Sequence, residues 1–415
     1  MRRVSEFDAL RGLAALGVLI FHLRPVEGTW TYFGMTGVHL FLVLSGFLIT
    51  GIVLRHLDSP DFFKAFYARR ILRIWPVYFV TLGFLVLFQH GFPKGTAPPG
   101  VPVAPSLRGL PYFLTFTQNM WKWPGLGAIL PTPPGETVYA FEHSWTLAIE
   151  EQFYLIWPLA IALVSRRFIV PFIGVILISN TWFKTLRYDT QILPSVVGAF
   201  ALGGLIAAML QDKARVARFR PLLSLFFLIS GLAGFAYVRW YYTQPAPEWM
   251  WPYGAWRDSL QNMAFYTMHF GIVGFVATNA GAKFLAPLRM KELGFLGEIS
   301  YGMYFYHLPI YWLVDGYWIQ HSQPWTMGAC KIGLTFVAAV LSYHYLELPI
   351  LRLKDYFPYD KRDRVAAEVP TPAVVAAAPS PVAGPSGPRP MGLRQPRMNY
   401  GRPGAPAAES DKAAS

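Results

Sequence analysis

Charge is what this sequence has little of. Of its 415 residues, 14% are Asp, Glu, Lys or Arg, against roughly 25% in a soluble domain. Such a chain cannot clothe a water-facing surface in the ordinary way, which excludes a conventional cytosolic enzyme. Cysteine is nearly absent. Cys330 stands alone, so no intramolecular disulfide can form, and no Cys or His lies near it at metal-ligand spacing. Neither redox chemistry nor a metal site is therefore expected. Acids are scarce as well, 23 Asp and Glu against 36 Lys and Arg, for a net charge of +13.

What is present is hydrophobicity, at 54% of residues, and aromatics, at 16%. Apolar runs of about 20 residues, the length that crosses a bilayer's hydrocarbon, recur along the chain. Ten candidate spans lie near 8–23, 33–55, 74–90, 145–164, 168–184, 191–210, 221–242, 259–279, 296–318 and 326–346. The expected class is an all-α polytopic membrane protein. With the amino terminus inside, the inner segments collect 21 Lys and Arg and the outer segments 8. The positive-inside rule then places both termini in the cytoplasm. The basic balance is mostly this topology signal. No basic face interleaved with aromatics remains, so no nucleic-acid partner is expected.

The first span follows a basic start, as a signal peptide would, but it carries Arg11 and His22 and no small-residue cleavage site follows. It is read as retained. A loop of about 54 residues between the third and fourth spans, rich in Pro, Gly and aromatics from Trp121 to Pro134, is placed outside, where it would cover an outer cavity. The membrane unit is expected over residues 1–353, followed by a cytoplasmic Pro/Ala-rich tail over 354–415. Its residues 365–415 hold 10 Pro and 12 Ala without apolar periodicity, the composition of a disordered segment.

Ionisable residues inside spans are the informative ones, because each costs about 2.5–3.5 kcal/mol or more at the midplane unless paired or hydrated. Arg11 and His22 are eleven apart. At 100° per residue they lie within about 20° of one helix face, roughly 16 Å apart along it. The plain alternative is an interface anchor and a boundary histidine. The fourth span, entering from outside after His143, carries Glu150 and Glu151 one to two turns in. Neighbours on a helix diverge by about 100°, so one acid of the two is expected to be functional, and periodicity does not choose. A carboxylate beside His22 would orient a general base and stabilise its protonated form.

At the start of the third span, Arg70 and Arg73 share a face, with Arg69 adjacent. Guanidiniums there suit bidentate phosphate binding, although the positive-inside rule alone would produce the same cluster. His307 lies mid-span and either lines a polar cavity or bonds to another helix. His39 and His344, closer to the interfaces, are read as structural.

Together these strings resemble the membrane-bound acyltransferase-3 family, from residue 5 to about 353. The resemblance rests on FDALRGLAALGVLIFH with its Arg-x10-His, on FLVLSGFLIT, on RRILRIWPVYF with its Arg-x-x-Arg, on HSWTLAIEEQFYLIWP and on ISYGMYFYHLPI, five motifs in order. Two departures stand out: His39 where members commonly carry an acid, and Leu348 where they often carry Arg.

The resemblance implies an integral O-acyltransferase of the bacterial inner membrane. It would move an acyl group, acetyl in the first instance, from cytoplasmic acyl-CoA to a hydroxyl of an extracytoplasmic glycan or glycolipid. Carried over residue by residue, it implies His22, Glu150 and Glu151 as catalytic, Arg11, Arg70 and Arg73 as donor-binding, and Tyr304 and His307 as substrate-binding. In this scheme the arginines hold the donor's phosphates, the pantetheine arm reaches toward His22, and His22 takes the acceptor's proton. Direct transfer and an acyl-His intermediate both remain open. A transporter or flippase using the intramembrane His and Glu is the alternative, and it predicts inverted repeats and broken spans. A membrane scaffold recruiting partners through its tail would leave the intramembrane Arg, His and Glu unexplained.

Overall fold

Residues 5–23, 34, 36–91, 109–120, 141–186, 191–243, 254–318 and 324–359 are described by the structure, a computed structural model. They are helical, with no strand among them. The helices are α1 (Ser5–Leu23), α2 (Gly37–His56), α3 (Phe62–Gly91), α4 (Ser144–Leu163), α5 (Ile169–Leu186) and α6 (Leu193–Met209). They continue with α7 (Lys213–Thr243), α8 (Gly254–Thr278), α9 (Lys291–Glu298), α10 (Ser300–Trp318) and α11 (Pro324–Ser342). The Trp121–Pro134 stretch of the long loop and the Pro/Ala-rich segment 365–415 lie outside the described residues.

Every expected span falls on a helix. Among the described residues, six helices are long and apolar enough to cross a membrane. A seventh results if Ser259–Thr278 and the 3-10 turn Lys283–Arg289, bent by 109°, form one broken span. α1 falls short of the same measure because Glu6, Asp8 and Arg11 interrupt it. α10 falls short because Tyr and Trp, with His307, replace aliphatic residues. The count of ten thus stays with the hydropathy and the placing of the termini with the charge pattern. α3 also begins at Phe62, twelve residues before the hydropathy suggested. Arg69, Arg70 and Arg73 therefore sit in the second to fourth turns of a continuous helix, not at its entrance.

Burial separates centre from rim. The apolar window of α2 is 61% buried, against 22% for α7. Ile178 of α5 and Leu222 of α7 are 73% and 64% exposed. An apolar rim of this kind suits hydrocarbon, where helices satisfy their own backbone groups. Close approach at the centre depends on glycine. A Cβ on Gly46 of α2 would run into the Phe200 carbonyl of α6, and one on Gly203 into the Val43 carbonyl. Small residues let helix backbones touch where hydrophobicity gives no drive between helices in lipid.

α10 is tied to its neighbours by tyrosines. Tyr301 donates to the Ile74 carbonyl of α3 at 2.9 Å and Tyr311 to the Leu19 carbonyl of α1 at 3.1 Å. Tyr306 donates to Ser342 of α11 at 2.8 Å, and Ser342 donates to the buried Glu347 carboxylate at 3.2 Å, within a π turn over Tyr343–Glu347. The other end of α1 is held by Glu6, whose carboxylate accepts from Arg289 and from the Gly281 backbone N–H, each at 3.0 Å.

Candidate active site

A cavity of about 100 Å³, room for several waters, opens between α1, α2, α3, α4 and α10. Its polar wall consists of Arg11, Arg70, Arg73, Ser45, Thr146, Glu150, Tyr154, Ser300, Tyr301 and Tyr304. Three guanidiniums thus face one carboxylate. Arg11 pairs with Asp8 at 3.4 Å on its own helix. Arg70 lies over the rings of Phe66 and Tyr154, at 5.6 and 5.4 Å from their centroids, within cation–π distance of both. Its Nε is buried without a hydrogen-bond partner. Tyr154 donates to Glu150 at 2.6 Å, and Ser45 donates to Tyr154 at 3.3 Å.

The adjacent acid points elsewhere. Glu151 accepts from the Trp75 indole N–H of α3 at 3.3 Å and does not line the cavity. The 100° between neighbours sends one carboxylate into the cavity and the other against α3.

The imidazoles form a second group. His22, in the last turn of α1, lies with Nδ1 2.9 Å from the Val18 carbonyl and 3.2 Å from Nε2 of His307. His307 directs its own Nδ1 at the Tyr304 carbonyl. Carbonyls only accept, so both rings carry their proton on Nδ1. His307 Nε2 is then a lone pair, and the His22 Nδ1–H is shared between it and Val18. The basic atom of His22 is Nε2. His307 is fully buried and does not line the cavity.

The expected orienting of His22 by Glu150 is not what the described residues show: Glu150 sits with the arginines, and the imidazole of His307 lies against His22. The reason lies in packing. Periodicity fixes where a residue points on its own helix, whereas α10, seated against α1 by Tyr311, decides what His22 meets.

Tyr304 joins the two groups. Its hydroxyl, in the cavity wall, donates to Thr146 at 2.7 Å and lies 3.3 Å from the His143 carbonyl, while its own carbonyl holds His307. His143 precedes the first residue of α4 and escaped the sequence reading as a site residue. Its ring lies 5.1 Å from that of His307, which is 4.9 Å from that of His22. A signal existed in Pro309: it has no N–H, so the Phe305 carbonyl four residues earlier loses its helical donor. His143 Nε2 fills that vacancy at 3.0 Å.

His39, where the family commonly has an acid, stacks on Phe265 of α8 with centroids 5.1 Å apart and is absent from the cavity wall. Among the described residues, no group of three or more His, Cys, Asp or Glu is arranged to hold a metal ion.

Comparison with known proteins adds a family to this geometry. Residues 4–344 match a family model described as an acyltransferase domain. The O-acetyltransferase OatA of Staphylococcus aureus (strain NCTC 8325 / PS 47) is 26% identical over 381 residues, covering 84% of this chain and 57% of that protein. The peptidoglycan O-acetyltransferase OatA of Listeria monocytogenes serovar 1/2a is 29% identical over 376 residues, with 84% and 56% covered. A putative O-acetyltransferase of Staphylococcus aureus (strain COL) is 25% identical over 382 residues. The chain spans a little over half the length of the curated relatives it matches. No solved structure matches it.

Proposed function

The chain belongs to the acyltransferase family whose domain model it matches over residues 4–344, and we propose that it is an integral-membrane O-acetyltransferase of an extracytoplasmic polysaccharide, with acetyl-CoA as donor. The relatives named above support acetyl as the group transferred, and the Listeria protein makes peptidoglycan the first acceptor to test. The observation that carries the reading is the joining of the arginine cavity to the His22–His307 pair through Tyr304.

Arg11, Arg70 and Arg73 bind the donor's phosphate end through their guanidinium forks. The cavity takes the thioester end and not a whole nucleotide, which leaves the adenosine portion toward the end of the bundle that carries Arg69. The charge pattern makes that end cytoplasmic. Glu150, held by Tyr154, is the counter-charge that keeps three guanidiniums from repelling one another in a dry site.

The acceptor hydroxyl approaches His22 Nε2, which removes its proton as the oxygen attacks the thioester carbonyl. The C–O bond forms, the C–S bond breaks, and the proton passes on to the thiolate. The positive charge that His22 gains is met by the Val18 carbonyl and the His307 lone pair at Nδ1. His307 thus orients His22 and stabilises its charged form, the part that the sequence reading gave to a carboxylate. General-base help of this kind is worth roughly 10²–10⁴-fold.

The test is purified protein in nanodiscs with radiolabelled acetyl-CoA, scored for label on peptidoglycan fragments and for free thiol. Thiol release with acceptor labelling supports the reading. Intact acetyl-CoA with every acceptor, alongside transport of a sugar or acyl compound, would move the protein into the transporter class.

A further inference from the structure

His143 takes no part in the reaction as written above, yet it is 4% exposed and lies beside the imidazole pair. Its tautomer follows from the chain itself. Pro309 frees the Phe305 carbonyl, and that carbonyl takes the His143 Nε2–H at 3.0 Å. A neutral ring with its proton on Nε2 leaves Nδ1 as a bare lone pair. That atom is sealed from solvent and has no hydrogen-bond partner. An unmet acceptor inside a protein is costly and calls for a reason. The ring of His307 packs against that of His143 in a T-shaped arrangement at a centroid distance of 5.1 Å, and the ring of His22 lies 4.9 Å from that of His307.

We infer that His143 is the third imidazole of the reaction centre, a positioning residue whose Nδ1 lone pair faces the His22–His307 pair and stabilises it once His22 has taken the acceptor's proton. The inference rests on the acyl-transfer reading of the site. During transfer the acceptor O–H breaks and His22 Nε2–H forms. The new C–O bond replaces the C–S bond, and the proton finally leaves for the thiolate sulfur. Between those events the imidazole group holds one extra positive charge in an apolar interior. His22 and His307 share it across their Nδ1–H to Nε2 contact. His143, its own proton held by Phe305, turns only its electron pair toward that charge. A side chain free to rotate would present an N–H there half the time; the carbonyl freed by Pro309 prevents this.

Two isosteres separate this role from a merely structural one. Asn reaches the position of Nδ1 and keeps an acceptor there, but loses the bond to Phe305. Gln reaches Nε2 and keeps that bond, but loses the acceptor at Nδ1. With acetyl-CoA and a chitooligosaccharide acceptor, His143→Gln should lower kcat about 10-fold or more while the KM for acetyl-CoA stays within about twofold. His143→Asn should retain more of kcat than His143→Gln, although it loses the structural bond.

A second readout needs no turnover. In protein labelled with ¹⁵N-histidine, ring-nitrogen NMR should show His143 protonated on Nε2 and bare on Nδ1, with His22 and His307 the reverse. Signals are assigned from His22→Gln, His143→Gln and His307→Gln. A protonated Nδ1 on His143, or a kcat for His143→Gln at or above that of His143→Asn in a wild type that transfers acetyl, overturns the inference alone. A wild type that transfers nothing overturns the acyl-transfer reading and this inference with it.

Discussion

Tyr154 gives its hydroxyl proton to Glu150 one turn earlier on the same helix, at 2.6 Å, and the Arg70 guanidinium lies 5.4 Å from the centre of the same tyrosine ring. One aromatic side chain therefore sets both the acid and one of the cations of the cavity. Tyr154→Phe keeps the ring and removes the hydroxyl. A hydrogen bond to a charged group is worth about 1.5–3 kcal/mol, so turnover should fall about 10-fold or more while the fold survives. Steady-state kinetics beside a thermal melt check this. An unchanged kcat would remove the hydroxyl from the site's electrostatics.

His22→Ala should abolish acetyl transfer while membrane insertion and thermal stability stay near those of the wild type, because a ring in the last turn of α1 contributes little packing. Transfer above a tenth of wild type would take His22 out of the chemistry. His307→Gln should lower kcat and leave the KM for acetyl-CoA unchanged, since its buried ring meets His22 and not the cavity.

Arg70→Ala and Arg73→Ala should raise the KM for acetyl-CoA several-fold and alter acceptor dependence little. Lys at either position should restore binding only in part, keeping the charge and losing the fork. In sealed vesicles of known orientation, acetyl-CoA supplied on the face that carries Arg69 should support acetylation of acceptor on the opposite face. Donor use only from the other face would leave the arginines as a topology signal.

Gly46→Ala and Gly203→Ala should each destabilise the protein by about 1–3 kcal/mol, the usual cost of overpacking, because each methyl meets a carbonyl of the facing helix. The loss appears as a lower melting temperature in detergent. The double variant should cost less than the sum, since the first substitution already parts α2 from α6.

The all-helical class and the positions of the helices were legible in the sequence, because lipid demands long apolar runs and self-satisfied backbones. The cavity wall was legible in part: Arg11, Arg70 and Arg73 stood out in the sequence and all line it, whereas the choice between Glu150 and Glu151 stayed open until the helix packing was seen. Partnership was not legible. His22 and Glu150 share a plausible depth, yet α10 supplies His307 to His22, and Glu150 sits with the arginines. The start of α3 was hidden because Lys64, Arg69 and Arg70 depress its hydropathy while the helix runs on. His143 was given no role in the sequence, and the missing N–H of Pro309, more than 160 positions later, explains why its ring is held.

Four tyrosines of α10 reach out in four directions: Tyr301 to α3, Tyr304 to α4, Tyr306 to α11 and Tyr311 to α1. A helix moored on so many sides cannot roll or slide without breaking several bonds at once, so it behaves as the axle of the bundle. Breathing that lets a donor arm in or a product out then falls to other helices of the cavity wall, and α2, tied there through Ser45 to Tyr154 of α4, is the one to watch. Only apolar residues and Ser45 of α2 line the cavity wall. Spin labels on α10 and α4 should keep a fixed separation through turnover, while a label pair between α10 and α2 reports the opening.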